Sequence, residues 1–221
     1  MNVLVLSAHP DDEILGPGGT LARHARAGDV VHAVILSEGA SSRYAPDMKS
    51  ALEASGRQAA AKIGARSIRF EAFPDQRLDT VPLVEVTQRI EAVVEELAPE
   101  VVYTHFPGDV NADHGAVGRA AWTACRPYRF PGVRRFLVFE TPSSTEWAWP
   151  LPDGAFAPNV FMDISATLDA KVAALECYGS ELRDYPHPRS ARAIRERAAF
   201  WGSRMGMPAA EPFILLRERT A

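Results

Sequence analysis

Along the first half of the chain, short apolar runs alternate with longer stretches of helical period. The runs VLVLS (3–7), VVHAVILS (30–37), SIRFEAF (67–73) and EVVYTHF (100–106) are rich in β-branched and aromatic residues and read as strands. Segments 18–27, 47–63, 82–97 and 113–125 follow them in turn, with apolar positions at helical spacing. Near-continuous apolar strands separated by helices predict a parallel sheet covered on both faces, with right-handed crossovers: a Rossmann-like α/β fold. Beyond residue 127 the pattern loosens. RRFLVFE (134–140), NVFMDIS (159–165) and FILLRER (213–219) read as further strands, and 166–177 and 188–205 as helices, around a Pro, Ser and Trp-rich stretch at 141–158. No repeat or low-complexity linker marks a boundary, so residues 1–221 are expected to form a single domain on one mostly parallel sheet.

Ligands of open α/β sheets bind beyond the carboxyl ends of the strands, which directs attention to the loops beginning at Ser7, Ser37, Phe73 and His105. The first, SAHPDDEILGPGG (7–19), crowds His9, Asp11, Asp12 and Glu13 into five positions. Adjoining carboxylates beside an apolar strand repel one another and require a compensating cation or proton. His9 and Asp12, three positions apart, converge on one point if the chain turns sharply at Pro10. The fourth loop, HFPGDVNADHGAVG (105–118), leaves the same sheet edge and carries further imidazoles. Two imidazoles and one carboxylate suit a zinc ion that keeps one position open for water, the arrangement of catalytic zinc. Other divalent ions suit the same nitrogen and oxygen donors. An acid-rich helix cap would account for one of the carboxylates but not for three. GPGG is separated from its strand by charged residues, so it reads as close helix packing rather than as a dinucleotide fingerprint.

Composition narrows the function classes. The 221 residues are 47% hydrophobic and 24% charged, enough to build a proper core. A net charge of -4 with scattered arginines argues against wholesale nucleic-acid binding. Cys125 and Cys177 are the only cysteines, which indicates neither a disulfide framework nor a cysteine zinc site. No leader-like segment and no apolar run approaching a bilayer span is present, so a cytoplasmic home is expected.

AHPDDE (8–13) together with DVNADH (109–114) resembles the GlcNAc-PI de-N-acetylase family, the PIG-L or LmbE-like zinc deacetylases. The resemblance spans most of the chain and implies one zinc ion per chain held by His9, Asp12 and His114, with Asp11 as the general base. The implied reaction is hydrolysis of an N-acetyl or longer N-acyl group on an amino sugar or glycoconjugate. The chain departs from the family pattern at Asn111, where many members carry a histidine that steadies the oxyanion or protonates the leaving amine. Asn111 can donate a hydrogen bond to an oxyanion but transfers no proton. Either Asp11 carries both proton transfers or another residue fills the gap, and His187, in YPHPRS, is the expected candidate from a loop that could cover the site.

Substrate contacts are expected from Arg43 in GASSRY, Asp75 and Arg77 in FPDQRLD, and Arg189 in HPRS. Asp109 and Asp113 are expected to orient Asn111, His114 or the loop backbone, and His105 to support a ligand. His24 and His32 read as structural histidines. Trp147 and Trp149 read equally as a wall for a sugar ring or as a homo-oligomer interface. The rival reading is a noncatalytic metal- or carbohydrate-binding protein that retains the deacetylase fold. Asn111 favours it, and Asp11 argues against it, because metal binding alone would not need the extra carboxylate. A metal-dependent phosphohydrolase would want more bridging carboxylates, for two ions.

Overall fold

Strand β1 (Asn2–Ser7) shows why the sheet is covered on both sides. Val3 and Val5 enter one apolar cluster while Leu4 and Leu6 enter another, all fully buried, because successive side chains of a strand point to opposite faces. The computed structural model describes residues 1–40, 48–149 and 155–220. Its sheet has seven strands in the order β3-β2-β1-β4-β5-β7-β6, where β2 is Val30–Ser37, β3 Ser67–Phe73, β4 Val101–His105, β5 Arg135–Phe139, β6 Val160–Asp163 and β7 Ala210–Glu218. The first five of these positions pair in parallel, and β7 runs antiparallel to both β5 and β6. The expected mostly parallel α/β fold is therefore present, with FILLRER lying inside the sheet rather than closing its edge.

On one face the cluster containing Val3 and Val5 takes residues from α2 (Gly18–Arg26), α3 (Met48–Lys62) and α6 (Leu168–Leu175). On the other, Leu4 and Leu6 meet α4 (Leu83–Leu97) and α5 (Ala112–Ala124). GPGG serves packing, as expected: a Cβ on Gly19 would lie 2.9 Å from Ile164 Cδ1, so only glycine lets α2 approach the residue that follows β6 this closely. Gly118 plays the same part on α5, where a Cβ would come 2.7 Å from the His105 carbonyl. The final helix, α7 (Ala191–Ser203), starts at Ser190, whose hydroxyl accepts the Ala193 N–H at 3.1 Å.

The strand order fixes the position of the site. β1 lies between β2 and β4, so the connections leaving β1 and β4 depart toward opposite faces and open a crevice between them. No helix of the described residues is long and apolar enough to cross a membrane.

Candidate metal centre

The loop after β1 turns as the sequence predicts. Asp12 N–H reaches back to the His9 carbonyl at 3.3 Å, and His9 N–H donates to Asp12 Oδ2 at 2.8 Å. This closes the turn and places both side chains on one side. Asp11 caps the short helix α1 (Asp12–Leu15) with φ 102°, a left-handed conformation uncommon outside glycine. From β4, Asn111 caps α5: its side-chain oxygen accepts the Asp113 N–H at 2.9 Å. That sets His114 on the first turn, facing the β1 loop.

His9, Asp12 and His114 each offer one ligand atom, and the three atoms lie within 4.8 Å of one another. Asp12 Oδ2 stands 3.2 Å from His9 Nδ1 and 3.3 Å from His114 Nε2. Each of these histidines turns its other nitrogen to a carboxylate. His9 Nε2 meets Asp113 Oδ2 at 3.0 Å, and His114 Nδ1 meets Asp109 Oδ1 at 3.3 Å. A carboxylate behind each imidazole fixes ring orientation and raises ligand basicity, the usual backing of a metal-binding histidine. The donor set therefore fits a divalent cation.

Asp113 thus supports His9 rather than Asn111 or His114, and it also accepts the Leu78 N–H at 2.9 Å. Asp109 has the role expected of it, held by Ser144, by Thr145 Oγ1 at 2.5 Å and by Asn111 N–H at 2.8 Å. His105 is fully buried and stacks on the His114 ring at 4.0 Å. Its Nε2 accepts the Ala8 N–H at 2.9 Å, so that lone pair is committed to the β1 loop and not to a metal.

Charge in the cluster is balanced by protons when no cation is present. Burial opposes protonation of His9, but hydrogen bonds with Asp113 and Asp12 outweigh it and raise its pKa to about 10. His114 is raised too, against burial, by Asp12 and Asp109. Burial would raise Asp12, yet His114 beside it holds it well below the carboxylate range. Burial and the adjacent His114 push His105 down to about 4. A cation must displace the His9 proton to reach the ring. Metal uptake at pH 8 is therefore expected to release at least one proton, and apparent affinity to rise about tenfold per pH unit until pH approaches the His9 value. Calorimetric titration with zinc in buffers of different ionisation enthalpy measures this, and zero proton release would mean that His9 is already neutral before the metal arrives.

The cluster lies at the base of a cavity of about 360 Å³. Asp11, Asp75, Asn111 and Arg189 line it as expected, joined by Gln76, Ser143, Ser144 and Glu181. Arg189 Nη1 donates to Asp11 Oδ2 at 3.0 Å and to Glu181 Oε2 at 3.1 Å, while its Nε donates to Ser143 Oγ at 2.7 Å. Burial lifts the Asp11 carboxyl well above its ordinary range; Arg189 opposes the rise, and Asp12 and Glu181 add to it.

Other expectations need correction. Arg77 is exposed and does not line the cavity. Gln76 takes a positive φ of 54°, which turns its own amide inward to within 3.0 Å of His9 Nε2. His187 does not line the cavity either. Its Nδ1 accepts the Arg189 N–H at 3.1 Å, so its role is to shape the Arg189 turn, and burial beside Arg189 and Arg183 lowers its pKa. Trp147 and Trp149 are exposed and stand outside this cavity. His24 and His32 are structural, bonded to Asp29 and Tyr103 and to Ser67 respectively. Arg43 lies outside the described residues.

The family model of the GlcNAc-PI de-N-acetylases, PIG-L, matches residues 4–125, a stretch that contains both loops. The chain belongs to the PIG-L family. The uncharacterized deacetylase YaiS of Escherichia coli K12 is 30% identical over 184 residues, covering 80% of this chain and 90% of its own. A probable N-acetyl-alpha-D-glucosaminyl L-malate deacetylase of Bacillus cereus is 27% identical over 81% of this chain and 83% of its own. The 4-oxalmesaconate hydratase of Pseudomonas putida is 29% identical over 81% of this chain and 74% of its own. The N,N'-diacetylchitobiose deacetylase of Pyrococcus horikoshii shares the fold, with a TM-score of 0.79 at 19% identity over 98% of this chain and 84% of that one.

Proposed function

We propose that this PIG-L protein is a zinc-dependent hydrolase that removes an N-acetyl or other N-acyl group from an amino sugar or glycoconjugate. The observation that carries the reading is Asp11, a buried carboxylate next to the His9, Asp12 and His114 cluster and outside the ligand set. When bound, zinc supplies Lewis acidity and lowers the pKa of water from about 15.7 to about 7. His9, Asp12 and His114 would hold the ion. Asp11 accepts the proton of the attacking water and returns it to the leaving nitrogen, so one carboxylate performs both transfers where Asn111 cannot. The amide C–N bond breaks to give carboxylate and free amine. Arg189 keeps the Asp11 carboxylate aimed at the cavity, and the Asn111 amide, 3.4 Å from Gln76 Oε1, has a second N–H for a developing oxyanion.

The hydratase relative supports a second reading, addition of water to a polycarboxylate. Charge disfavours it. Among the described residues lining the cavity, Asp11, Asp75, Asp113 and Glu181 are acidic, and the single guanidinium, Arg189, is engaged with two of them. A neutral sugar meets no such repulsion.

Metal analysis and acetate release over a panel of N-acetylglucosaminides with neutral and anionic aglycones test the proposal, alongside 4-oxalmesaconate. About one zinc per chain is expected, with amide hydrolysis lost on chelation and restored by zinc. Bound zinc without turnover of any amide would favour the binding-protein reading, and turnover of 4-oxalmesaconate alone the hydratase.

A further inference from the structure

Asp11 is held in its left-handed conformation by a buried relay that begins far away in sequence. Its N–H donates to Glu13 Oε2 at 3.1 Å, and Glu13 Oε1 accepts the Tyr178 hydroxyl at 2.6 Å. Glu13 is 1% exposed and Tyr178 fully buried. Tyr178 follows α6, and its hydroxyl has room only because α3 carries Gly56, where a Cβ would lie 2.8 Å from that oxygen. The metal-cluster side chains have braces of their own: His9 is held by Asp113, and Asp12 by the His9 N–H.

We propose that Tyr178, acting through Glu13, is a positioning residue for the general base, fixing the Asp11 backbone so that its carboxylate points into the cavity beside the His9, Asp12 and His114 cluster. The proposal rests on the deacetylase reading for what Asp11 does. A non-glycine residue at positive φ is strained and persists only where its surroundings over-determine it. The Asp11 carbonyl is committed to α1, accepting Ile14 N–H at 3.0 Å and Leu15 N–H at 2.8 Å. Its N–H is the remaining handle on the peptide, and Glu13 holds it. Glu13 is itself a flexible side chain, and the Tyr178 hydroxyl selects one rotamer. With the hydroxyl gone, Glu13 loses the side-chain partner that selects its rotamer and Asp11 can relax out of line.

The test is Tyr178→Phe, which keeps the ring and removes one oxygen. With the N-acetylglucosaminide turned over by the wild type, kcat is expected to fall about 10- to 100-fold with KM within about twofold and zinc content unchanged. Protection of the Asp11 amide from hydrogen exchange, read by NMR, is expected to drop at least about tenfold, while that of Ala8, bonded to His105, stays constant. Glu13→Gln probes the same relay with a different atom, since its amide keeps one oxygen and puts an N–H where one of the two carboxylate acceptors stood. The double variant is expected to be no slower than Glu13→Gln alone. Unchanged kcat and unchanged Asp11 exchange would overturn the proposal, as would loss of zinc in step with activity or additive losses in the double variant. A wild type inactive on every amide sinks the deacetylase reading instead, and the exchange measurement still decides whether Tyr178 fixes Asp11.

Discussion

Asp11→Asn is expected to slow amide hydrolysis by about 10²- to 10⁴-fold, the usual worth of a positioned proton-transfer group, while the protein keeps its full complement of zinc. The substitution is nearly isosteric, and its amide oxygen can still accept from Arg189, 3.0 Å away in the wild type. What it removes is the proton acceptor. The effect belongs at the upper part of that range because neither residue weighed beside it for proton transfer can substitute: His187 is turned toward the Arg189 backbone, and Asn111 has no proton to transfer. His114→Ala is expected to behave differently, losing metal and activity together, since it deletes one of the three proposed ligands. Steady-state kinetics with metal content measured on the same preparations separates the two. An Asp11→Asn enzyme within about tenfold of wild type would assign proton transfer elsewhere, whereas loss of zinc in Asp11→Asn would make Asp11 a ligand.

Much of the fold is legible in the chain because its strands are local, strongly apolar and bounded by helical periods. β2 and β3 match the expected runs residue for residue, and α4 begins and ends within one residue of its expected span. The metal cluster is legible for another reason: His9 and Asp12 share a tight turn, and the second motif leaves a neighbouring parallel strand. What escapes the sequence depends on long-range placement. α1 is four residues long, too short for a period to register. β7 inserts between β5 and β6, which no local pattern encodes. Gln76 rather than Arg77 faces the cavity because one positive φ reverses the side-chain order in that loop. Tyr178 meets Glu13 across 165 positions and looks in sequence like any core tyrosine. The sequence segment around Arg189 pointed to a substrate contact, and the guanidinium does line the cavity, but its bonds to Asp11, Glu181 and Ser143 depend on long-range placement that no local pattern encodes.

Lys171→Met is expected to destabilise the folded protein by about 3–5 kcal/mol, the cost of stripping one partner from a buried ion pair. Lys171 is 4% exposed and Glu211 3%. The ammonium donates to the carbonyls of Leu15 at 2.9 Å and Gly16 at 2.8 Å and to Glu211 Oε1 at 2.5 Å, using its full donor capacity. Glu211 in turn accepts Gly19 N–H at 2.8 Å and Thr20 N–H at 2.7 Å. The pair thus joins the end of α1, the start of α2, α6 and β7, and it satisfies backbone groups that helix ends leave open. Methionine fills the volume but leaves Glu211 charged in the interior and two carbonyls without a donor, which is why the effect should exceed that of an ordinary core substitution. Urea unfolding is expected to show a lower midpoint at unchanged slope, with a melting temperature roughly 6–20 °C lower for a chain of this size. Adding Glu211→Gln removes the stranded charge and keeps an acceptor for one α2 amide, so the double variant should regain part of the loss. A double variant less stable than Lys171→Met would mean that the Glu211 contacts to Gly19 and Thr20, and not its pairing with the ammonium, dominate at this junction.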